Sequence, residues 1–122
     1  MSGKGAAFER QCRQELADAG WLALRVSTDD IDLIAVRIEA GRPRVLICEV
    51  KSGRQRCRAE QWNRLVQLAE QCGATPVLAD KAPGVRAAQW WEITGMKQQG
   101  SRGMAQPRRP LNIDEWDERS AA

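Results

Sequence analysis

"DDIDLIAVRIEAGRPRVLICEVKSG", residues 29 to 53, decides the fold. Ile31 to Ile38 and Arg44 to Val50 are rich in branched side chains and read as two strands, and the "EAGRP" between them reads as a turn. Antiparallel pairing through that turn follows. Strand alternation sets Asp32 on the face opposite Ile31 and Leu33, and it puts Glu49 and Lys51 together on one face with Val50 on the other. In the paired register Asp32, near the start of one strand, lies close to Glu49, near the end of the other. Two neighbouring carboxylates raise each other's pKa unless a cation sits between them. Mg2+ takes oxygen ligands and keeps several waters, so a few carboxylates and a substrate phosphate satisfy it. Lys51 would stand beside such an ion, placed to orient or deprotonate a water or to stabilise charge developing on phosphorus.

Working outward, Phe8, Cys12, Leu16 and Ala19 recur at helical spacing between Gly5 and Ala19, with Gly20 as a stop signal. "WLALRV", Trp21 to Val26, reads as a first strand. From Arg58 to Cys72 the stripe Trp62, Leu65, Val66, Ala69 and Cys72 predicts a second amphipathic helix, ended by Gly73, and "TPVLAD" returns as a strand. Strand, helix, strand implies a right-handed crossover and a parallel pair. "WWEIT", Trp90 to Thr94, is expected as a short final edge strand. The fold class is therefore α/β, a central mixed sheet flanked by helices. Residues 1–95 form one domain, and 96–122, rich in Gly, Pro and polar groups, are expected as a flexible tail. That tail is bipolar, with basic residues before the acids around Trp116, which suits a protein partner.

With 122 residues and 43% hydrophobic content the chain suits one modest core. No apolar run approaches the ~20 residues of a bilayer span, and no signal-peptide pattern stands at the start, so a soluble cytoplasmic protein is expected. There is no His, which excludes Ser-His and Cys-His catalysis and leaves a metal mainly oxygen ligands. Cys12, Cys48, Cys57 and Cys72 show no CxxC spacing, and Cys12 and Cys72 are expected on buried helix faces. The net charge of +3 says little, but its distribution says more. Lys51, Arg54, Arg56, Arg58 and Arg64 stand against the one acid Glu60 directly after "EVK", a basic segment suited to a phosphodiester substrate.

Asp32 followed by Glu49-Val50-Lys51 resembles the D…(D/E)xK signature of the restriction-endonuclease-like nucleases. "KGAAFER" (Lys4 to Arg10), "LRVSTDDIDLIA" (Leu24 to Ala35) and "GATPVLA" sharpen the likeness, which over residues 4 to 95 is to the archaeal-type Holliday junction resolvases. The resemblance implies a Mg2+-dependent endonuclease, with Mn2+ able to substitute, that acts on four-way DNA junctions as a homodimer. It implies that Glu9 joins Asp32, Glu49 and Val50 around the metal, that Lys51 is the catalytic lysine, and that Thr28 keeps the hydroxyl usually supplied by a Ser four residues before the Asp. Arg25 beside the scissile phosphate, with Lys4, Arg10, Arg54, Arg56 and Arg58, is expected to bind DNA. Trp90-Trp91 is the expected dimer contact. Other readings stand alongside. Glu9 with Arg13 also fits a helix-surface pair, Asp32 a turn cap, and Glu49 with Lys51 an exposed ion pair. For the whole protein the rivals are a nuclease of the same superfamily without junction preference and a non-catalytic DNA-binding scaffold.

Overall fold

The computed structural model describes residues 3–28, 30–53, 55–98 and 106–115. Their elements are α1 (Gly3–Asp18), β1 (Leu22–Arg25), β2 (Leu33–Glu39), β3 (Arg42–Val50), α2 (Ala59–Cys72), β4 (Thr75–Asp80), β5 (Gln89–Ile93) and β6 (Arg108–Pro110). The strands form one six-stranded sheet in sequence order. All neighbours are antiparallel except β3 and β4, the parallel pair that the α2 crossover requires.

The hairpin closes more tightly than the sequence suggests. Ala40 and Gly41 both take positive φ, 53° and 78°, so Glu39 pairs directly with Arg42 and the ladder runs on to Leu33 opposite Cys48. Two left-handed residues in a row match the twist of the flanking strands. The result is a rigid register from the turn to the far strand ends.

Alternation divides the core in two. Leu33, Ala35, Leu46, Cys48, Val77 and Ala79 face α1 and pack on Phe8, Cys12 and Leu16. Ile47, Leu78 and Ile93 face α2 and pack on Trp62, Leu65, Val66 and Ala69. Burying aliphatic side chains of this size contributes about 1.5–3 kcal/mol each. Cys72, expected inside, is exposed, because it is the last residue before the left-handed Gly73 cap, where α2 runs past the cluster it covers. Cys12, Cys48 and Cys57 are buried, and all four cysteines are free thiols.

The C-terminal side departs most from expectation. β5 is not an edge strand, because β6 pairs with it through Trp91 opposite Pro110 and Ile93 opposite Arg108. Residues 106–115 therefore belong to the domain, not to a flexible tail, and Ile113 lies in the α1 core. The anchor is polar and buried. The Arg37 guanidinium donates to the carbonyls of Ala19 (3.0 Å), Ile113 (2.9 Å) and Glu115 (2.6 Å), pairs with Glu39 at 3.2 Å and stacks on Trp21. Trp21 Nε1 donates to the same Ile113 carbonyl at 2.8 Å. A charged residue at an inward strand position reads in sequence as a solvated face. Here it satisfies the carbonyls of a returning segment. The remainder of the expected tail, 99–105 and 116–122 with Trp116, lies outside the described residues. Among the described residues no helix is long and apolar enough to cross a membrane.

Candidate active site

Asp32 enters the sheet just before β2, held by its own backbone: its N–H donates to the Cys48 carbonyl at 2.9 Å and its carbonyl accepts from Val26 at 3.0 Å. The exposed Thr28 hydroxyl accepts the Ile31 N–H at 3.3 Å and shapes the turn that leads to it. The Asp32 side chain then accepts the Val50 N–H at 2.7 Å. A carboxylate fixed on the main chain of the neighbouring strand cannot drift. This places it against Glu49, which is buried, with 6% of its surface exposed.

Glu49 shows the electrostatic cost of that arrangement. Burial first, and then the Asp32 charge, push its carboxyl up to about 7, while Lys51 works in the opposite sense. Lys51 Nζ lies 3.3 Å from Glu49 Oε1 and is mostly buried itself. The pair of carboxylates and the lysine thus gather at the end of β3, beside β4, where Lys51 N–H donates to the Ala79 carbonyl.

Glu9 comes from α1, on the other face of the sheet, and is buried at 6% exposure. Its partner is not the Arg13 of its own helix but Arg25, whose Nε lies 3.0 Å from Glu9 Oε1. Arg25 remains largely exposed, so the guanidinium both neutralises Glu9 and faces outward. Among the described residues no three carboxylates, thiols or imidazoles converge as a ready cation cage. Asp32 and Glu49 are together; Glu9 stands apart on Arg25.

The donor set nevertheless fits a hard divalent ion. Two acids in forced proximity, one of them desolvated, offer oxygen and lack positive charge. Softer ligands are not on offer: burial pushes the Cys12 and Cys48 thiols far up and the Cys57 thiol up to about 11, so none is a ready thiolate.

Arg10, Arg56 and Arg58 are exposed, whereas the Lys4 side chain and Arg54 lie outside the described residues. The structure brings two further cations near the site. Lys81 follows β4, next to the "EVK" strand, and sits 5.9 Å from the Phe8 ring of α1. Lys97 belongs to the expected tail, yet Asn63 brackets its main chain, donating to its carbonyl at 2.9 Å and accepting its N–H at 2.7 Å. Its Nζ donates to the Cys57 carbonyl at 3.1 Å, and its charge acts on the same Cys57 thiol that senses Glu49, Lys51 and Asp32. Parallel pairing of β3 with β4 could have suggested Lys81; no spacing signals Lys97. The Trp90-Trp91 pair is engaged within the chain and does not form an open edge. Trp90 is buried with Nε1 on Glu15, and Trp91 donates to Asp80 under the Arg108 guanidinium.

No curated protein matches the chain. Among solved structures it is similar to the Archaeoglobus fulgidus Hjc, described as a Holliday junction resolvase from an archaeal hyperthermophile, with 25% identity, a TM-score of 0.62, and coverage of 98% of this chain and 96% of that one. The shared architecture is the restriction-endonuclease-like α/β fold, with its mixed sheet between helices. Residues 1–106 match the archaeal Holliday junction resolvase (Hjc) family, so the chain that sets Asp32 and Glu49 against Lys51 belongs to that family of junction-resolving endodeoxyribonucleases.

Proposed function

We propose that the protein resolves four-way DNA junctions by Mg2+-dependent, paired symmetric nicks, acting as a homodimer in the cytoplasm. The observation that carries this is the forced pairing of Asp32 with a buried Glu49, and Lys51 3.3 Å away, at the end of β3. Asp32 and Glu49 would hold the ion, with the Val50 main chain beside them. Mn2+ would substitute. The bound ion supplies Lewis-acid charge at a phosphate oxygen and a lowered pKa for a coordinated water.

The chain's own residues do the rest. Lys51 orients the water by hydrogen bonding and offsets charge that develops on phosphorus. Arg25, held on Glu9 and open to solvent, positions a backbone phosphate. Glu9, paired with Arg25, would be the further carboxylate able to hold the ion. Arg10, Arg56 and Arg58 are exposed for phosphate contact, and Lys4 and Arg54 complete the expected set. Recognition rests on the shape and charge of the branch, with little base readout.

The test is a gel assay of the full chain on a four-way junction, a linear duplex and a single strand, with Mg2+ and with chelator. Asp32→Asn, Glu49→Gln and Lys51→Ala should each lower cleavage at least ~100-fold while junction binding stays within a few-fold, because phosphate contacts supply most of the affinity. Unchanged cleavage in the Glu49 and Lys51 variants sinks this site. Equal cutting of duplex and junction leaves a nuclease without branch preference.

A further inference from the structure

The strand β6 brings a restrained arginine to the face that carries Glu49 and Lys51. The register settles which face this is: Glu49 stands opposite Leu78, Leu78 stands opposite Trp91, and both Leu78 and Trp91 belong with the cluster under α2. Asp80, two residues past Leu78, shares that face. Lys51 donates its N–H to the Ala79 carbonyl at 2.9 Å, so Asp80 rises from the neighbouring strand, about 4.8 Å away.

Arg108 reaches this position from the start of β6. Its Nη1 lies 3.4 Å from Asp80 Oδ2, and its guanidinium carbon sits 3.9 Å from the centre of the Trp91 ring. Trp91 Nε1 in turn donates to Asp80 Oδ1 at 3.0 Å. Three side chains from three strands thus fix one another, while Arg108 and Asp80 keep 27% and 28% of their side chains exposed. A guanidinium that only anchors a segment spends its donors, as Arg37 does on three main-chain carbonyls and Glu39. Arg108 makes one long contact, and among the described residues its Nε and Nη2 groups meet no acceptor. A rigid guanidinium with spare donors is suited to a phosphate.

We propose that Arg108 is a subsite for a backbone phosphate of the strand being cut, a neighbour of the phosphate at Lys51, with Asp80 and Trp91 holding the guanidinium ready. This rests on the reading of Asp32, Glu49 and Lys51 as the cutting site. Phosphates of one strand follow each other about every 3.4 Å along a duplex, so a cation about one strand spacing from Lys51 meets the next ones in line. Arg108 lies beyond residues 1–106, the segment matched to the resolvase family.

β6 supplies its own control. Arg109, the next residue, pairs with Glu92 at 2.7 Å on the opposite face, where Glu92 stands opposite Val77 of the α1 cluster. The experiment measures binding of the full chain to a four-way junction, in chelator and across a salt series. It compares wild type, Arg108→Gln and Asp80→Asn with the matched variants Arg109→Gln and Glu92→Gln, each shown by thermal melts to be folded. Arg108→Gln should weaken binding at least ~5-fold and reduce the slope of log K against log salt by about 0.9. Asp80→Asn keeps an oxygen for Trp91 and removes the anion that competes for Arg108, so it should strengthen binding ~3-fold. Both matched variants should stay within ~2-fold of wild type. With Mg2+, Arg108→Gln should raise KM and leave kcat within ~2-fold.

A slope for Arg108→Gln equal to that for Arg109→Gln overturns the proposal. Weaker binding in Asp80→Asn also overturns it, because that is the result of losing a mere anchor for β6. The slope is read without cleavage, which separates the two failures. A slope change confined to Arg108→Gln in a protein that cuts no DNA upholds the phosphate subsite and sinks the cutting site. An unmoved slope in a protein that cuts junctions sinks the subsite alone.

Discussion

Glu49 is where burial and charge conflict most directly. Its carboxyl ionises near 4.5 in ordinary surroundings and near 7 in the folded chain, raised by burial and by Asp32. The folded state therefore binds the proton more tightly than the unfolded state. The stability this contributes is fully present below about pH 4.5 and is lost as pH rises through 7. Thermal melts in chelator should accordingly show Tm falling between pH 4.5 and 7.5, and Glu49→Gln should flatten that part of the profile. Adding Mg2+ at pH 7.5 should raise the wild-type Tm and leave the variant nearly unmoved, since the proposed ion would bind the ionised pair. Parallel pH profiles for the two proteins would mean that Glu49 is not the proton-binding group.

At the scale of elements, the segment between β3 and α2 and the strand β6 carry separate predictions. Arg56 and Arg58 stand exposed after Lys51, and Lys97 ties the Cys57 carbonyl between them. Replacing Arg54, Arg56 and Arg58 by Ala should weaken binding to every DNA shape and reduce the slope of log K against log salt by about 0.9 for each phosphate that an arginine had neutralised. A titration series in salt measures this; an unchanged slope returns these arginines to solvated surface. Removing residues 106–122 tests β6. It takes Ile113 from the core, strips Trp91 of Arg108, and leaves the buried Arg37 without the Ile113 and Glu115 carbonyls. Loss of a buried apolar side chain costs about 2–5 kcal/mol, and exposing Arg37's site adds to it. Chemical denaturation should show a destabilisation of at least ~3 kcal/mol, and a truncated chain of wild-type stability would show β6 to be dispensable.

For the whole molecule, the expected outcome concerns paired cutting. A mixed dimer of one wild-type and one Lys51→Ala chain should nick a single strand per binding event, because each chain brings one Asp32–Glu49 pair. Two-colour labelling of opposed strands, with heterodimers purified by a tag on one chain, reads this directly. Cuts in both strands during one event would show that one site serves both.

The sequence alone determined α1, α2, β1 to β4 and the gathering of Asp32, Glu49 and Lys51 on one face. Periodicity of 3.6 located α1 and α2, branched runs located β1 to β4, and alternation put Asp32, Glu49 and Lys51 on one face, because these signals depend only on neighbours along the chain. What lay beyond reach depended on contacts between distant segments. Arg37 looks like surface charge until Ala19, Ile113 and Glu115 surround it, and β6 is three residues with no pattern until β5 lends it a ladder. Glu9 could be paired with Arg13 on spacing, but the β1 to α1 packing brings Arg25 to it instead. Local pattern fixes which way a side chain points along its own strand or helix; which partner waits there is set by loop closure and packing, and these are properties of the assembled chain.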